Sequence, residues 1–390
     1  MKNRSSMSAQ KKAVFGLFAS VLFLGLVELG FRLVVSLTSE RLSSMIDEYR
    51  RRYYSHINQD LAYRPHPYFG YVRRDGGARD QINSLGFWGP ELTLEKPDNT
   101  LRIVALGGST TAGPRAWPYQ LEVVLNEARD KGSVEVQNLG IGGWTSAEAL
   151  GAFAMVGVSH EPDLVVIHCV NNDMEPMRAV APEVDYSHYR RAMDVVQTDE
   201  GTATFKQDAA DVMDAIAAGW SDLYVYSKLF QYGTVPSRAS LHQLTTWSPP
   251  TQPEPSDKGV AIFERNLRSI AAIAQANGAA VMLTSMPALQ TSRPGIPPVP
   301  DGHLRSLDAQ NRRLQALAGR EGWLFADLAA LAEDLTPHYE DAIHVDARGE
   351  RMKAEAIAEA IGAAGLFESA SPSASSGDPP RDAKPDRSPR

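Results

Sequence analysis

Little in this sequence points to a metal, a disulfide or a nucleic acid. Cys169 is the only cysteine in 390 residues, which excludes an internal disulfide framework and a cysteine-rich zinc site. It sits within the apolar run Leu164 to Val170 and reads as a buried structural thiol. No His-Glu-x-x-His occurs, and no other strong ligand motif is found, so no metal or cofactor is expected. Basic residues are in the minority, 39 Lys and Arg against 47 Asp and Glu, for a net charge of −8. Beyond short runs such as Arg50 to Arg52 there is no basic stripe, and phosphate binding needs one, so a nucleic-acid partner is not expected. No internal repeat is present.

Long apolar runs are also scarce, with one exception near the N-terminus. Lys2, Arg4, Lys11 and Lys12 precede the apolar stretch Ala13 to Val27, which continues past Glu28 to Leu37. Taken through Leu37, it is long enough to cross a bilayer, provided that Glu28 and Arg32 are accommodated. Four residues apart on a helix, these two can pair, and long side chains near an interface can snorkel. A cleaved signal peptide is the alternative, giving a secreted protein, although no small-x-small site follows the stretch. The expected division is a cytoplasmic N-terminus (1–12), a membrane anchor (13–37), a stalk and N-terminal extension (38–100), a main domain (101–366) and a disordered tail (367–390). The tail is rich in Ser, Pro, Asp and Arg and holds almost nothing apolar to offset its ordering entropy. Either reading of the apolar segment leaves the positive end inside and the main domain extracytoplasmic, in the periplasm.

The main domain alternates strand and helix patterns. Leu101 to Leu106, Val134 to Asn138, Leu164 to Val170, Ala279 to Leu283 and Trp323 to Ala326 read as strands. Helical stretches separate them, with Leu121, Val124, Leu125 and Ala128 on one face, a Thr145/Glu148 capping box, and Phe263, Leu267, Ile270 and Ala274 on another face. Helices around Leu304 to Leu317 and Gly349 to Ile361 follow. This alternation implies an α/β fold with a five-stranded parallel sheet covered on both faces. Reactive groups in such sheets gather beyond the carboxyl ends of the strands. Residues 174–256 break the rhythm and form an insert after the third strand, with helical pieces around Ala209 to Ala217 and Leu223 to Phe230; the insert is a candidate lid or a structural embellishment.

The strand exits carry the candidate chemistry. The first runs into Gly107-Gly108-Ser109-Thr110-Thr111, where a serine can stand exposed at the start of a helix; an N-cap or anion loop reads equally well locally. The second opens into the glycine-rich Asn138-Leu-Gly-Ile-Gly-Gly-Trp-Thr145 and the third into Asn171-Asn172-Asp173. A serine nucleophile needs a histidine base oriented by a carboxylate. Of nine histidines, two have an aspartate three residues upstream, Asp185/His188 and Asp341/His344. The second pair lies after the fifth strand, at the carboxyl edge of the sheet, and is preferred; the first lies in the insert. The absence of a Gly-x-Ser-x-Gly elbow separates the chain from ordinary α/β-hydrolases.

Taken together, these exits resemble the four blocks of the SGNH (GDSL-like) hydrolases, named for Ser, Gly, Asn and His. The resemblance covers Leu101 to Ala364 apart from the insert. It implies a flavodoxin-like three-layer α/β/α sandwich and an ester hydrolase. Ser109 is then the nucleophile, His344 the base and Asp341 its orienting acid, with an oxyanion hole of the Ser109 N–H, the Gly143 N–H and the Asn172 amide. Asn83-Ser-Leu-Gly-Phe-Trp-Gly89 is similar to a segment that precedes the serine block in membrane-anchored members. Two positions depart from the pattern: Gly108 replaces the aspartate of Gly-Asp-Ser, and Val170 replaces the first glycine of Gly-x-Asn-Asp, where a bulkier residue is expected to narrow the strand exit. The extracytoplasmic address suggests acylated envelope carbohydrate or lipid as substrate. An O-acyltransferase using the same machinery and a non-catalytic envelope scaffold are the alternatives.

Overall fold

The computed structural model describes residues 8–39, 63–74, 81–91, 93–128, 132–190, 195–197, 203–205, 220–232 and 249–366, together with a few isolated positions. The helical piece expected near residues 209–217 lies outside them except for Ala217, as do the tail 367–390 and much of the expected stalk. The chain divides into two compact units, Met1–Pro90 with Met174–Phe263, and Glu91–Asp173 with Glu264–Arg390.

The second unit contains a parallel sheet of five strands, β1 (Thr100–Gly107), β2 (Ser133–Asn138), β3 (Leu164–His168), β4 (Ala280–Thr284) and β5 (Leu324–Ala326). Their spatial order is β2-β1-β3-β4-β5, the flavodoxin-like arrangement. β1 is an inner strand, paired on both sides and buried along its whole length, which is why it reads as an unbroken apolar run. The helices are α1 (Trp117–Glu127), α2 (Ser146–Met155), α3 (Asp257–Ala276), α4 (Asp301–Glu321) and α5 (Ala347–Ala363).

Strand periodicity divides the core. Leu101, Ile103 and Ala105 point to one face, where they meet Trp117, Leu121 and Leu125 of α1 and Ala354, Ile357 and Ile361 of α5. Helices α2 and α4 bury separate apolar stripes, Ala149 with Phe153 and Leu314 with Leu317, outside this cluster. The Thr145 hydroxyl accepts from Ala147 N–H, and Glu148 reaches back to Thr145 N–H at 2.7 Å, completing the expected capping box of α2. The order of the strands reverses between β1 and β3, leaving a crevice beyond their carboxyl ends. β3 is shorter than its apolar run: Cys169 and Val170 are buried but already past the strand.

In the first unit, an apolar helix spans Ala9–Thr38 and a hairpin pairs Tyr63–His66 with Gly70–Arg73. Asn83 to Gly89 forms a turn on that hairpin. Asn83 Oδ1 accepts from Leu85 and Phe87 N–H, and Gly86 takes φ +91° where a Cβ would lie 2.6 Å from the Arg73 carbonyl. A further helix runs from Asp222 to Tyr232.

Candidate active site

β1 ends at Gly107, and the chain turns sharply over Gly108-Ser109-Thr110. Thr111 and Ala112 N–H both donate to the Gly108 carbonyl at 3.1 Å. The helix expected to begin at the serine does not form there. Gly113, at φ +139°, and Pro114 interrupt the path, and α1 starts only at Trp117. Ser109 therefore heads an isolated turn. Gly107 has no space for a side chain, since a Cβ would meet Thr111 Oγ1 at 2.2 Å and the His168 carbonyl at 2.7 Å.

Two groups hold this turn from behind, and a third braces one of them. Asn138, at the end of β2, donates its amide to the Thr111 carbonyl at 2.8 Å. Lys353 of α5 donates to the Thr110 carbonyl at 3.1 Å and pairs with Glu350 at 2.9 Å. Glu350 in turn accepts from Trp117 N–H at 2.8 Å, supplying the cap that Ala116 lacks at the start of α1. A buried lysine requires such a partner to remain charged. Beside them His168 is fully buried, donating or accepting through Nδ1 with Thr284 at 2.6 Å. Burial, with Lys353 nearby, pushes its pKa well below the usual imidazole range, so it is neutral.

The histidine comes from a loop closed by an antiparallel bridge between Tyr339 and Val345. Glu340 N–H donates to the His344 carbonyl at 2.8 Å and Leu289 N–H to the Ala342 carbonyl at 2.9 Å. Leu289, Leu335, Tyr339 and Val345 make a small core beneath it. His344 Nε2 lies 2.8 Å from Ser109 Oγ, and His344 Nδ1 lies 2.7 Å from Asp341 Oδ2. A carboxylate can only accept, so Nδ1 carries the proton and Nε2 presents a lone pair to the serine hydroxyl. Partial burial opposes ionisation of Asp341, but the His344 ring and the N–H groups of Ile343 and His344 outweigh it and bring its carboxyl down to about 2.

The other exits converge on the same turn. Asn172 donates its amide to the Trp144 carbonyl at 2.8 Å. Both groups stand against Gly108, whose Cβ would lie 2.4 Å from Asn172 Nδ2 and 3.1 Å from the Trp144 oxygen. Gly143 takes φ +79°, a conformation that favours glycine, and so turns the β2 loop back toward α2. Asp173 holds the arrangement together by accepting from Ser146 N–H at 2.9 Å and Ser146 Oγ at 2.6 Å. The structure thus brings Ser109, Asp341 and His344 into one line, with Asn172 and the Trp144 carbonyl beside the serine turn.

The sequence model of the GDSL-like Lipase/Acylhydrolase family matches residues 105–352. The chain belongs to this family. It is an ester hydrolase of the SGNH type. Among solved structures, the chain is similar to the acetylxylan esterase Axe2 from Geobacillus stearothermophilus, at 16% identity and a TM-score of 0.41, covering 69% of this chain and 97% of that one. It is also similar to LAE5, an alpha/beta hydrolase enzyme from the metagenome of Lake Arreo, Spain, at 15% identity and a TM-score of 0.40, over 69% and 97% of the two chains. No curated protein matches it.

The GDSL-type hydrolase has a cleft of about 610 Å³ at the serine, lined by Ser109, Arg115, Glu340, His344, Arg348 and Glu350 among others. Val170 is buried just past the end of β3 and is not among the residues lining that cleft. The rival dyad is not assembled as one: His188 faces the Pro176 carbonyl at 3.1 Å and the Glu183 N–H at 3.0 Å, while Asp185 accepts from Ser187 N–H. Among the described residues no group of His, Cys, Asp and Glu is placed to hold a metal. Sequence reasoning missed Glu350 and Lys353, and the only signal for them was an unremarkable pair three apart on an amphipathic helix.

Proposed function

We propose that this hydrolase cleaves O-acyl esters through an acyl-enzyme on Ser109, with His344 as base and acid and Asp341 as its orienting carboxylate. His344 Nε2 takes the hydroxyl proton as Ser109 Oγ bonds to the ester carbonyl carbon. The tetrahedral oxyanion is met by the Ser109 N–H, the Gly143 N–H and the Asn172 amide, donors worth roughly 3–4 kcal/mol each in comparable chemistry. The imidazolium then protonates the departing alkoxide as its bond to carbon breaks. Water enters, gives a proton to the same nitrogen and attacks the acyl-serine; collapse returns the proton to Ser109 Oγ and releases the carboxylic acid.

The observation that carries this reading is the continuous line from Ser109 Oγ to His344 at 2.8 Å and from His344 to Asp341 at 2.7 Å. The apolar helix Ala9–Thr38, whose most apolar stretch is not buried against the rest of the protein, is long enough to span a bilayer. With Lys11 and Lys12 at its inner end, it leaves the catalytic unit on the extracytoplasmic side, where O-acylated envelope carbohydrate or lipid is the substrate class at hand.

The test is a panel of short- and long-chain esters given to the full-length protein in detergent, alongside Ser109→Ala. Hydrolysis that disappears in the variant supports the assignment, and hydrolysis that persists removes it. Adding an acyl-accepting sugar separates hydrolase from transferase: free acid is expected, and acylated sugar as the main product would replace the reading.

A further inference from the structure

Glu28 and Arg32 are the two charges in the apolar helix beyond Lys12, and they do more than neutralise each other. Arg32 Nε meets Glu28 Oε1 at 2.7 Å. The same Glu28 carboxylate accepts from Ser221 Oγ at 2.7 Å, from Asp222 N–H at 2.6 Å and from Leu223 N–H at 3.2 Å. Ser221 Oγ caps the helix Asp222–Tyr232 by accepting from Tyr224 N–H at 2.9 Å, and a carboxylate from a segment nearly 200 residues away takes the two N–H groups before it. The helix dipole favours a negative charge at that end. Arg32 completes the contact by donating to the Trp220 carbonyl at 2.5 Å and approaching Asp222 at 3.5 Å. One turn along, Phe31 and Tyr226 pack with ring centroids 5.3 Å apart.

The position of this contact along the apolar helix matters. Lys12 and Arg32 are twenty residues apart, about 30 Å of helix, which equals the hydrocarbon thickness of a bilayer. A span bounded by these two cations puts Arg32 at the outer interface. The Trp220 carbonyl bound to it lies at the same level, and the Trp220 side chain is 80% exposed. Leu223, on the next turn, is 37% exposed. Tryptophan, with an apolar ring and one N–H donor, favours the headgroup layer.

We infer that the Glu28–Arg32 pair is a clamp that holds the helix Asp222–Tyr232 against the membrane-spanning helix, with Trp220 seated in the headgroup layer of the outer leaflet. The inference rests on the reading of Ala9–Thr38 as a bilayer span. It makes that helix an architectural part of its unit, because its removal would take away the acceptor of the Asp222 and Leu223 N–H groups and of the Ser221 hydroxyl at the start of the second helix. The partner surface is lipid: the contact lies where the span ends, and the exposed groups are an indole and an aliphatic chain.

The experiment uses the full-length protein in phosphatidylcholine–phosphatidylglycerol vesicles. Trp220→Cys carries an environment-sensitive fluorophore; the replaced side chain is outside the clamp, which uses only the main-chain carbonyl, and Cys169 is buried. Quenching by headgroup-level spin labels, with little by an aqueous quencher, is expected. In the Glu28→Ala/Arg32→Ala background the emission should shift to the red and the headgroup quenching should be lost, with ester hydrolysis reporting that the protein is folded. Aqueous quenching of the parent, with an intact mass showing the N-terminal helix retained, would overturn the clamp alone. An intact mass lacking that helix would overturn the membrane anchor and the clamp with it.

Discussion

Two acid–base pairs flank the serine turn, and they are built in opposite ways. Glu350 and Lys353 are shut in, with side chains 11% and 2% exposed, while Asp341 and His344 are open, at 57% and 34%. The first pair lies three residues apart on one helix and hydrogen-bonds to main chain, the Thr110 carbonyl and the Trp117 N–H. The second lies three residues apart on a loop and touches Ser109 Oγ. The contrast teaches that two different kinds of pair serve one turn: the closed pair braces the main chain behind Ser109, and the open pair, on a loop held by main-chain hydrogen bonds, presents a ring to Ser109 Oγ.

The sharpest way to break this contrast is to remove the open pair. His344→Ala should cut kcat by about 10⁴-fold or more while leaving the melting temperature nearly unchanged. His188→Ala should retain most activity. The reverse ranking in steady-state ester hydrolysis would mean that the wrong histidine has been assigned. Next in size is Gly108→Ala, where the new methyl group meets Asn172 Nδ2 and the Trp144 carbonyl. The amide is the part that can yield, so kcat should fall by roughly 10²-fold, the scale of one displaced oxyanion donor. The loss should not add to that of Asn172→Ala. Additive losses in a double-mutant cycle would show that the two positions are independent.

A test of the closed pair follows. Lys353→Met strands Glu350 in the core and should cost about 3–5 kcal/mol of stability, the usual penalty for an unpaired buried charge. Denaturant unfolding measures it, and Lys353→Met/Glu350→Gln should recover part of the loss. An equal loss in both variants would mean that packing, not charge, is what the lysine supplies. The smallest effect concerns acid. Asp341 has a folded pKa depressed to about 2 from an ordinary 3.8, so its contribution is complete above about 4 and fades as pH falls toward 2. The stability gap between wild type and Asp341→Asn should therefore be flat from neutral pH to about 4 and shrink below it. A gap that grew in acid would have the wrong sign.

Much of the fold was legible because parallel strands are covered on both faces and appear as short apolar runs between amphipathic helices. All five strands lie within a residue or two of their runs. The proximity of Ser109 and His344 was legible for a topological reason: in such a sheet, whatever follows the strands collects at one edge. The helix at Ser109 was misread because Gly113-Pro114 was not weighed as a breaker. Glu350 and Lys353 were invisible because charges three apart on a helix usually mark its solvent face; only the tertiary approach of the Thr110 carbonyl makes that face interior. Glu28 and Arg32 were recognised as able to pair, but the contact they make depends on a partner almost 200 residues away, which no local spacing encodes.

The bare α-carbon at position 108 has a consequence for how this enzyme can vary. Any side chain placed there would begin against the amide of Asn172 and the carbonyl of Trp144. Introducing the aspartate of the family's usual signature is therefore not a one-step change: two other strand exits would have to retreat together. Positions 108, 144 and 172 form an interdependent set, and engineering at any one of them should be designed as a joint substitution.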